Sequence, residues 1–68
     1  MSVSAALKEL GLDQTATEND VTLAYRDLAK IWHPDRFQND ARLGARTEAQ
    51  IKLINEAKQV ALAYLEKH

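Results

Sequence analysis

The chain has 68 residues, no cysteine, a formal net charge of −1 and a pI near 6.0, and it is rich in alanine, leucine, lysine and glutamate. Its length suits one small domain over residues 1–68, and the lack of cysteine excludes disulfides, thiolate metal sites and a cysteine nucleophile. The balanced charge argues against nucleic-acid binding and no apolar run suits a membrane span or signal peptide, so we expect a soluble, cytoplasmic, mainly helical monomer.

The first predicted helix is short and covers about residues 4–10. Leu7 and Leu10 share one side of it, and Gly11 follows as a candidate left-handed residue at its C-terminus. In such a cap Leu12 folds back on Leu7. Because an isolated helix of this length is not stable in water, we expect the segment to dock on the other helices.

The second predicted helix covers residues 18–32 and has clear signals at its start. Thr17 is a suitable N-cap residue, and Glu18 and Asp20 place negative charge on the first turn, where the helix dipole favours it. At about 100° per residue, one apolar stripe is predicted to face the interior. It consists of Val21, Ala24, Leu28 and Trp32, with Tyr25 at its margin. The opposite side carries Leu23, Arg26 and Lys30.

A loop over about residues 33–40 is predicted to follow, and Phe37, its one large apolar residue, is expected to pack toward the core as an anchor. Pro34 ends the second helix, because proline donates no amide hydrogen and restricts the residue before it.

The third predicted helix covers about residues 41–66, and its start has two candidates. Asn39 or Asp40 could cap it, or Thr47 could form a capping box with Gln50. We favour the earlier start, which places Gly44 inside the helix at some cost in stability. Its main buried stripe is predicted to be Ile51, Ile54, Ala57, Ala61 and Leu65. The expected architecture is an all-α fold in which the second and third helices pack antiparallel and the first covers their seam.

The polar residues beside Pro34 allow several interpretations. As a catalytic acid and base, His33 and Asp35 lack a nucleophile and a recognisable substrate pocket. Together with His68 they do not form a recognisable metal-ligand set. We therefore predict no catalytic residue, no metal and no cofactor. Two possibilities remain: a helix terminator with solvent-facing neighbours, which general physics alone favours, or a presented binding site.

Three segments together resemble the J-domain of DnaJ-type co-chaperones. They are "LKELGL" (residues 7–12), "TATENDVTLAYRDLAKIWHPDR" (residues 15–36) and "IKLINEAKQV" (residues 51–60), which span most of the chain. The tripeptide His33, Pro34 and Asp35 alone is a weak match, but its position after "AYRDLAKIW" and before "INEA" is highly specific. The resemblance implies a J-domain fold, with the same helical hairpin that the periodicity predicts.

The resemblance also implies a function. Members of this family bind a DnaK-type heat-shock chaperone of the seventy-kilodalton class and stimulate its ATP hydrolysis. The family's signal loop falls here on His33, Pro34 and Asp35. The remaining predicted partner-binding residues are Tyr25, Arg26 and Lys30, which match the basic face of the family's second helix, and Arg36, which follows the loop.

This chain departs from the family pattern on the second helix. Many members are more basic there, whereas this chain has Thr22, Leu23, Asp27 and Ile31. The resemblance therefore implies a weaker electrostatic surface. The alternative is a J-like protein-interaction hairpin that has lost the stimulation of the ATPase.

Overall fold

The computed structural model describes residues 1–67 and contains three α-helices, α1 (Val3–Glu9), α2 (Glu18–Ile31) and α3 (Ala41–Lys67). One turn of 3-10 helix, Pro34–Phe37, lies between α2 and α3. Residues 1–67 contain no strand. The helices α2 and α3 form an antiparallel hairpin, and α1 packs against α3. The predicted all-α architecture is confirmed, and every observed helix end lies within one residue of the predicted one.

The C-terminus of α1 has the predicted left-handed cap. Gly11 has a φ of +73°, and its amide donates to the Lys8 carbonyl oxygen at 2.9 Å. The Leu12 amide donates to the Leu7 carbonyl oxygen at 2.8 Å, which completes a Schellman motif. At the other end, the Ser2 side chain caps the helix. The helix therefore begins and ends one residue earlier than predicted.

A capping box begins α2. The Asp20 amide donates to the Thr17 hydroxyl oxygen at 3.2 Å, and the Thr17 amide donates to the Asp20 carboxylate at 3.0 Å. The two residues satisfy amides that the first turn of a helix leaves without an intrahelical partner. The next residue, Val21, is fully buried. The cap thus fixes the start of the helix where its apolar stripe enters the core.

The main core cluster lies where α1 meets the hairpin. It consists of Ala6, Leu7, Leu10, Ala16, Val21, Ala57 and Ala61. Ala24 and Leu28 continue the stripe of α2 and are half-buried against this cluster. Trp32, which the periodicity placed on the same stripe, is not part of the cluster. It is the C-cap residue of α2, and because the chain turns there, its ring packs beside Phe37 instead.

The earlier of the two predicted starts of α3 is confirmed. The Asp40 carboxylate accepts a hydrogen bond from the Leu43 amide at 3.0 Å, and the helix begins at Ala41. Thr47 lies inside the helix and is buried, and its hydroxyl donates to the Leu43 carbonyl oxygen at 2.9 Å. Thr47 therefore cannot act as an N-cap. None of the helices in residues 1–67 combines the length and apolar character of a membrane span.

Candidate functional site

The chain between α2 and α3 makes a sharp turn, which we call the His33 corner (His33, Pro34, Asp35 and Arg36). Pro34 is the first residue of the 3-10 turn, where its fixed φ suits the helical backbone and its missing amide leaves no partner unsatisfied. None of the four residues of this turn is buried. The side chains of His33 and Asp35 are 57% and 81% exposed. The corner therefore presents its polar groups to solvent.

Hydrogen bonds within the corner shape it. His33 is the N-cap of the 3-10 turn, and its Nδ1 accepts a hydrogen bond from the Asp35 amide at 3.3 Å. A ring nitrogen that accepts a hydrogen bond carries no proton, so in the neutral imidazole the proton lies on Nε2. The Asp35 Oδ2 lies 3.7 Å from the same Nδ1. One side of the imidazole thus organises the turn, and the other keeps a donor for solvent or a partner.

Arg36 and Phe37 connect the corner to the helix before it. The Arg36 Nη1 donates to the Ile31 carbonyl oxygen at 3.2 Å, and the Arg36 amide donates to the His33 carbonyl oxygen at 3.1 Å. The guanidinium carbon lies 5.9 Å from the centroid of the Phe37 ring. The Phe37 and Trp32 ring centroids are 6.3 Å apart at an interplanar angle of 42°. Phe37 is half-buried beside Trp32, but it does not join the core cluster toward which it was predicted to pack, because the corner lies away from that cluster.

The outer side of α2 is exposed and nearly neutral. The helix contains three acidic residues, Glu18, Asp20 and Asp27, and two basic ones, Arg26 and Lys30, so its formal net charge is −1. Arg26 and Lys30 are exposed. They lie about one turn apart on α2, and Lys30 is near the end of the helix that meets the corner. Two apolar side chains on the same helix are about half exposed, Leu23 at 48% and Ile31 at 51%. The basic surface is thus weak and mixed with apolar groups.

Tyr25 differs from the other predicted partner-binding residues because it lies between the helices. It is half-buried, and its hydroxyl donates to the Asn55 Oδ1 at 2.8 Å. The Lys58 Nζ lies 4.3 Å from the centroid of its ring, which is a cation–π distance. Neither Asn55 nor Lys58 was predicted from the sequence to belong to the site. They lie three residues apart on α3 and so share a face, but their contact with Tyr25 depends on how the two helices are aligned.

The surroundings of the corner do not form an enclosed pocket. An open depression of about 380 Å³ lies between the 3-10 turn and the first turns of α3, lined in part by Pro34, Phe37 and Gly44. Residues 1–67 contain no cluster of three histidine, aspartate or glutamate side chains that could hold a metal ion. His68, which the sequence analysis considered as a ligand, lies outside the described residues.

A helical hairpin with an exposed His33, Pro34 and Asp35 turn between its long helices has the features of a J-domain. The model of the DnaJ domain family matches residues 7–66 of the chain. The chain therefore belongs to the DnaJ domain family, as the resemblance in its sequence predicted. No solved structure gives a significant match.

Curated relatives of the chain carry the name chaperone protein DnaJ. That of Fusobacterium nucleatum subsp. nucleatum is 44% identical over 52 residues, which cover 75% of this chain and 13% of the relative. That of Thermoplasma volcanium is 43% identical over 53 residues, or 78% of this chain and 14% of the relative. That of Clostridium kluyveri is 47% identical over 51 residues, which cover 75% of this chain and 12% of the relative. The chain thus spans a small part of the length of each relative.

Proposed function

We propose that this chain is a co-chaperone module that binds a DnaK-type heat-shock chaperone and stimulates its ATP hydrolysis through the His33 corner. Membership in the DnaJ domain family supports the proposal. The observation that carries it is the exposed, internally hydrogen-bonded turn of His33, Pro34 and Asp35 at one end of the hairpin. In this proposal the chain acts as a cytoplasmic monomer, uses no cofactor, and leaves the chemistry to the chaperone.

The proposed mechanism is a shift of the chaperone toward its hydrolysis-competent state. Asp35 offers a carboxylate that can pair with an arginine of the partner in a directional, charge-assisted arrangement. Pro34 and the hydrogen bond to His33 hold the backbone of the turn before binding, which reduces the entropy lost on docking. If the chain binds the competent state more tightly than the resting state, the population shifts toward hydrolysis.

The side chains predicted from the sequence to accompany the corner have different parts in this proposal. Arg26 and Lys30 are exposed and steer the chain toward an acidic surface, which affects the encounter rate more than the final affinity. Tyr25 and Arg36 complete the proposed partner-binding set, and both also make contacts within the chain. Because the net charge of α2 is low, we expect the steering contribution to be small.

A single-turnover ATPase assay with a purified DnaK-type chaperone tests the proposal. The wild-type chain is expected to accelerate hydrolysis. Asp35→Asn is expected to abolish the acceleration, because the partner's arginine would then have no carboxylate to pair with. Thermal unfolding of Asp35→Asn should stay close to wild type, since the side chain is 81% exposed.

Asp13→Asn is the matched control, because Asp13 is exposed in the loop between α1 and α2, far along the chain from the corner. Asparagine also accepts the hydrogen bonds that such a turn requires. This variant should stimulate like wild type. If the folded wild-type chain binds the chaperone without accelerating hydrolysis, the interaction hairpin replaces the proposed function. If Asp35→Asn stimulates fully, the corner is a helix terminator only.

A further inference from the structure

We propose that Arg36 is a positioning residue, whose guanidinium holds the His33 corner at a fixed angle to α2 and so aims the Asp35 carboxylate. The inference rests on the proposed function and assigns Arg36 a role different from direct contact with the chaperone. It concerns how this chain orients its own site.

The hydrogen bond from Arg36 to α2 crosses the corner. The Arg36 Nη1 donates to the Ile31 carbonyl oxygen at 3.2 Å, and Ile31 is the last residue of α2. The last carbonyls of a helix have no intrahelical partner, so a side chain that returns to one of them caps the helix. Among the hydrogen bonds of residues 1–67, this is the one that joins α2 to the 3-10 turn. The corner is therefore closed by the side chain of its own last residue.

The second contact of Arg36 needs the shape of a guanidinium. Its central carbon lies 5.9 Å from the Phe37 ring centroid, and the Phe37 ring packs beside Trp32 at 6.3 Å. A planar guanidinium can lie against an aromatic ring and still donate a hydrogen bond from its edge. A lysine ammonium is a compact point charge without a planar face, so we expect it to reproduce this pair of contacts poorly. The arrangement therefore depends on arginine itself and not on positive charge alone.

Besides the Arg36 contacts, the 3-10 turn packs against α3 and the Phe37 ring lies beside Trp32, but neither contact is a hydrogen bond to α2. The core cluster contains none of residues 33–37, and no residue of the 3-10 turn is buried. The hydrogen bond between the Asp35 amide and His33 shapes the turn internally but does not tie it to α2. A carboxylate that must meet a partner arginine gains from a fixed direction, because pairing of the two groups is strongly geometric. Loss of the Arg36 contacts would thus make the direction of the Asp35 carboxylate less fixed, although Asp35 itself is unchanged.

Arg36→Lys and Arg36→Ala separate positioning from direct contact. If Arg36 positions the corner, both variants should lose most of the maximal stimulation in the single-turnover assay, although lysine keeps the charge. In the isolated chain, NMR order parameters of the amides of residues 35–37 should fall in both variants. If Arg36 instead acts as a charge on the chaperone, Arg36→Lys should stimulate like wild type with unchanged order parameters, which would overturn the inference.

Phe37→Leu provides an independent test that leaves every charge in place. It removes the ring beside the guanidinium, so it should reduce the stimulation, and the double variant Arg36→Lys/Phe37→Leu should lose no more than the stronger single variant. Additive losses would contradict coupling between the two side chains. Arg46→Lys on exposed α3 surface is the matched control and should match wild type.

Failure of this inference can be told apart from failure of the proposed function. Wild-type order parameters in Arg36→Lys, together with normal stimulation and a defective Asp35→Asn, would reject the positioning role alone. If the wild-type chain does not stimulate the chaperone, the proposed function fails, and the order parameters still decide whether Arg36 orders the corner.

Discussion

The two ends of the hairpin are stabilised in different ways. At the end where α1 packs against α3, residues such as Leu7, Val21 and Ala57 are almost completely buried. At the His33 corner no residue of the 3-10 turn is buried. The turn is held by hydrogen bonds between near neighbours in sequence, by the Phe37 ring beside Trp32 and by contacts with α3. Burial of a large aliphatic side chain contributes about 1.5–3 kcal/mol, whereas a solvent-exposed hydrogen bond contributes little net stability.

The difference shows why a domain of this size can carry an exposed recognition element. A chain this short has a small core, so a site built into that core would compete with folding for the same side chains. Here the core cluster and the His33 corner share no residue. Changes at the corner should therefore alter the proposed function with little effect on the fold.

Leu7→Ala should have the largest effect on stability. Leu7 is 3% exposed and joins α1 to the main core, so its truncation is expected to lower the free energy of unfolding by about 2–5 kcal/mol. That is a large fraction of the roughly 5–15 kcal/mol typical of native proteins. Urea unfolding monitored by circular dichroism measures the change. Leu23→Ala, at a side chain 48% exposed, should shift it by less than about 0.5 kcal/mol, and equal losses would contradict the assigned core.

Replacing the two glycines by alanine should have smaller effects of opposite sign. Gly44 lies within α3, and an added Cβ would meet the Phe37 carbonyl oxygen at 3.6 Å, an ordinary contact. Gly44→Ala should therefore stabilise the chain by about 0.5–1 kcal/mol. Gly11 has a φ of +73°, so Gly11→Ala should cost about 1–2 kcal/mol. Thermal unfolding compares the two variants, and destabilisation by Gly44→Ala would show that the junction of corner and α3 is tighter than described.

His33→Ala should have the smallest effect on stability. The side chain is 57% exposed, so its loss should change the free energy of unfolding by less than about 0.5 kcal/mol. The NMR order parameter of the Asp35 amide should nevertheless fall, because that amide loses its acceptor. His33→Asn should preserve the order, since an asparagine side chain can accept from an amide two residues later. A stability loss as large as that of Leu7→Ala would remove the distinction between the two ends.

The ends of the helices could be predicted closely from the sequence. Gly11, Thr17, Pro34 and Asp40 act on backbone groups within a few residues of themselves, so their identities carry most of the information needed. Membership in the DnaJ domain family was likewise evident from the spacing of its motifs. The start of α1 lies one residue before the predicted one because the Ser2 side chain caps the helix by accepting from the Ala5 amide. A serine at this spacing is a local signal in the sequence.

Only the tertiary structure decided which long-range contacts the exposed and marginal side chains make. Tyr25 lies at the margin of its stripe by periodicity, and its bond to Asn55, 30 residues away, depends on the alignment of α2 along α3. Trp32 has the spacing of the apolar stripe, which predicts that it faces the core. It packs on Phe37 instead, because the helix ends there and the chain turns. The return of Arg36 to the Ile31 carbonyl depends on the angle of the corner. Helical periodicity gives the direction of a side chain around its own axis, and it contains no information about how far one helix is shifted along another.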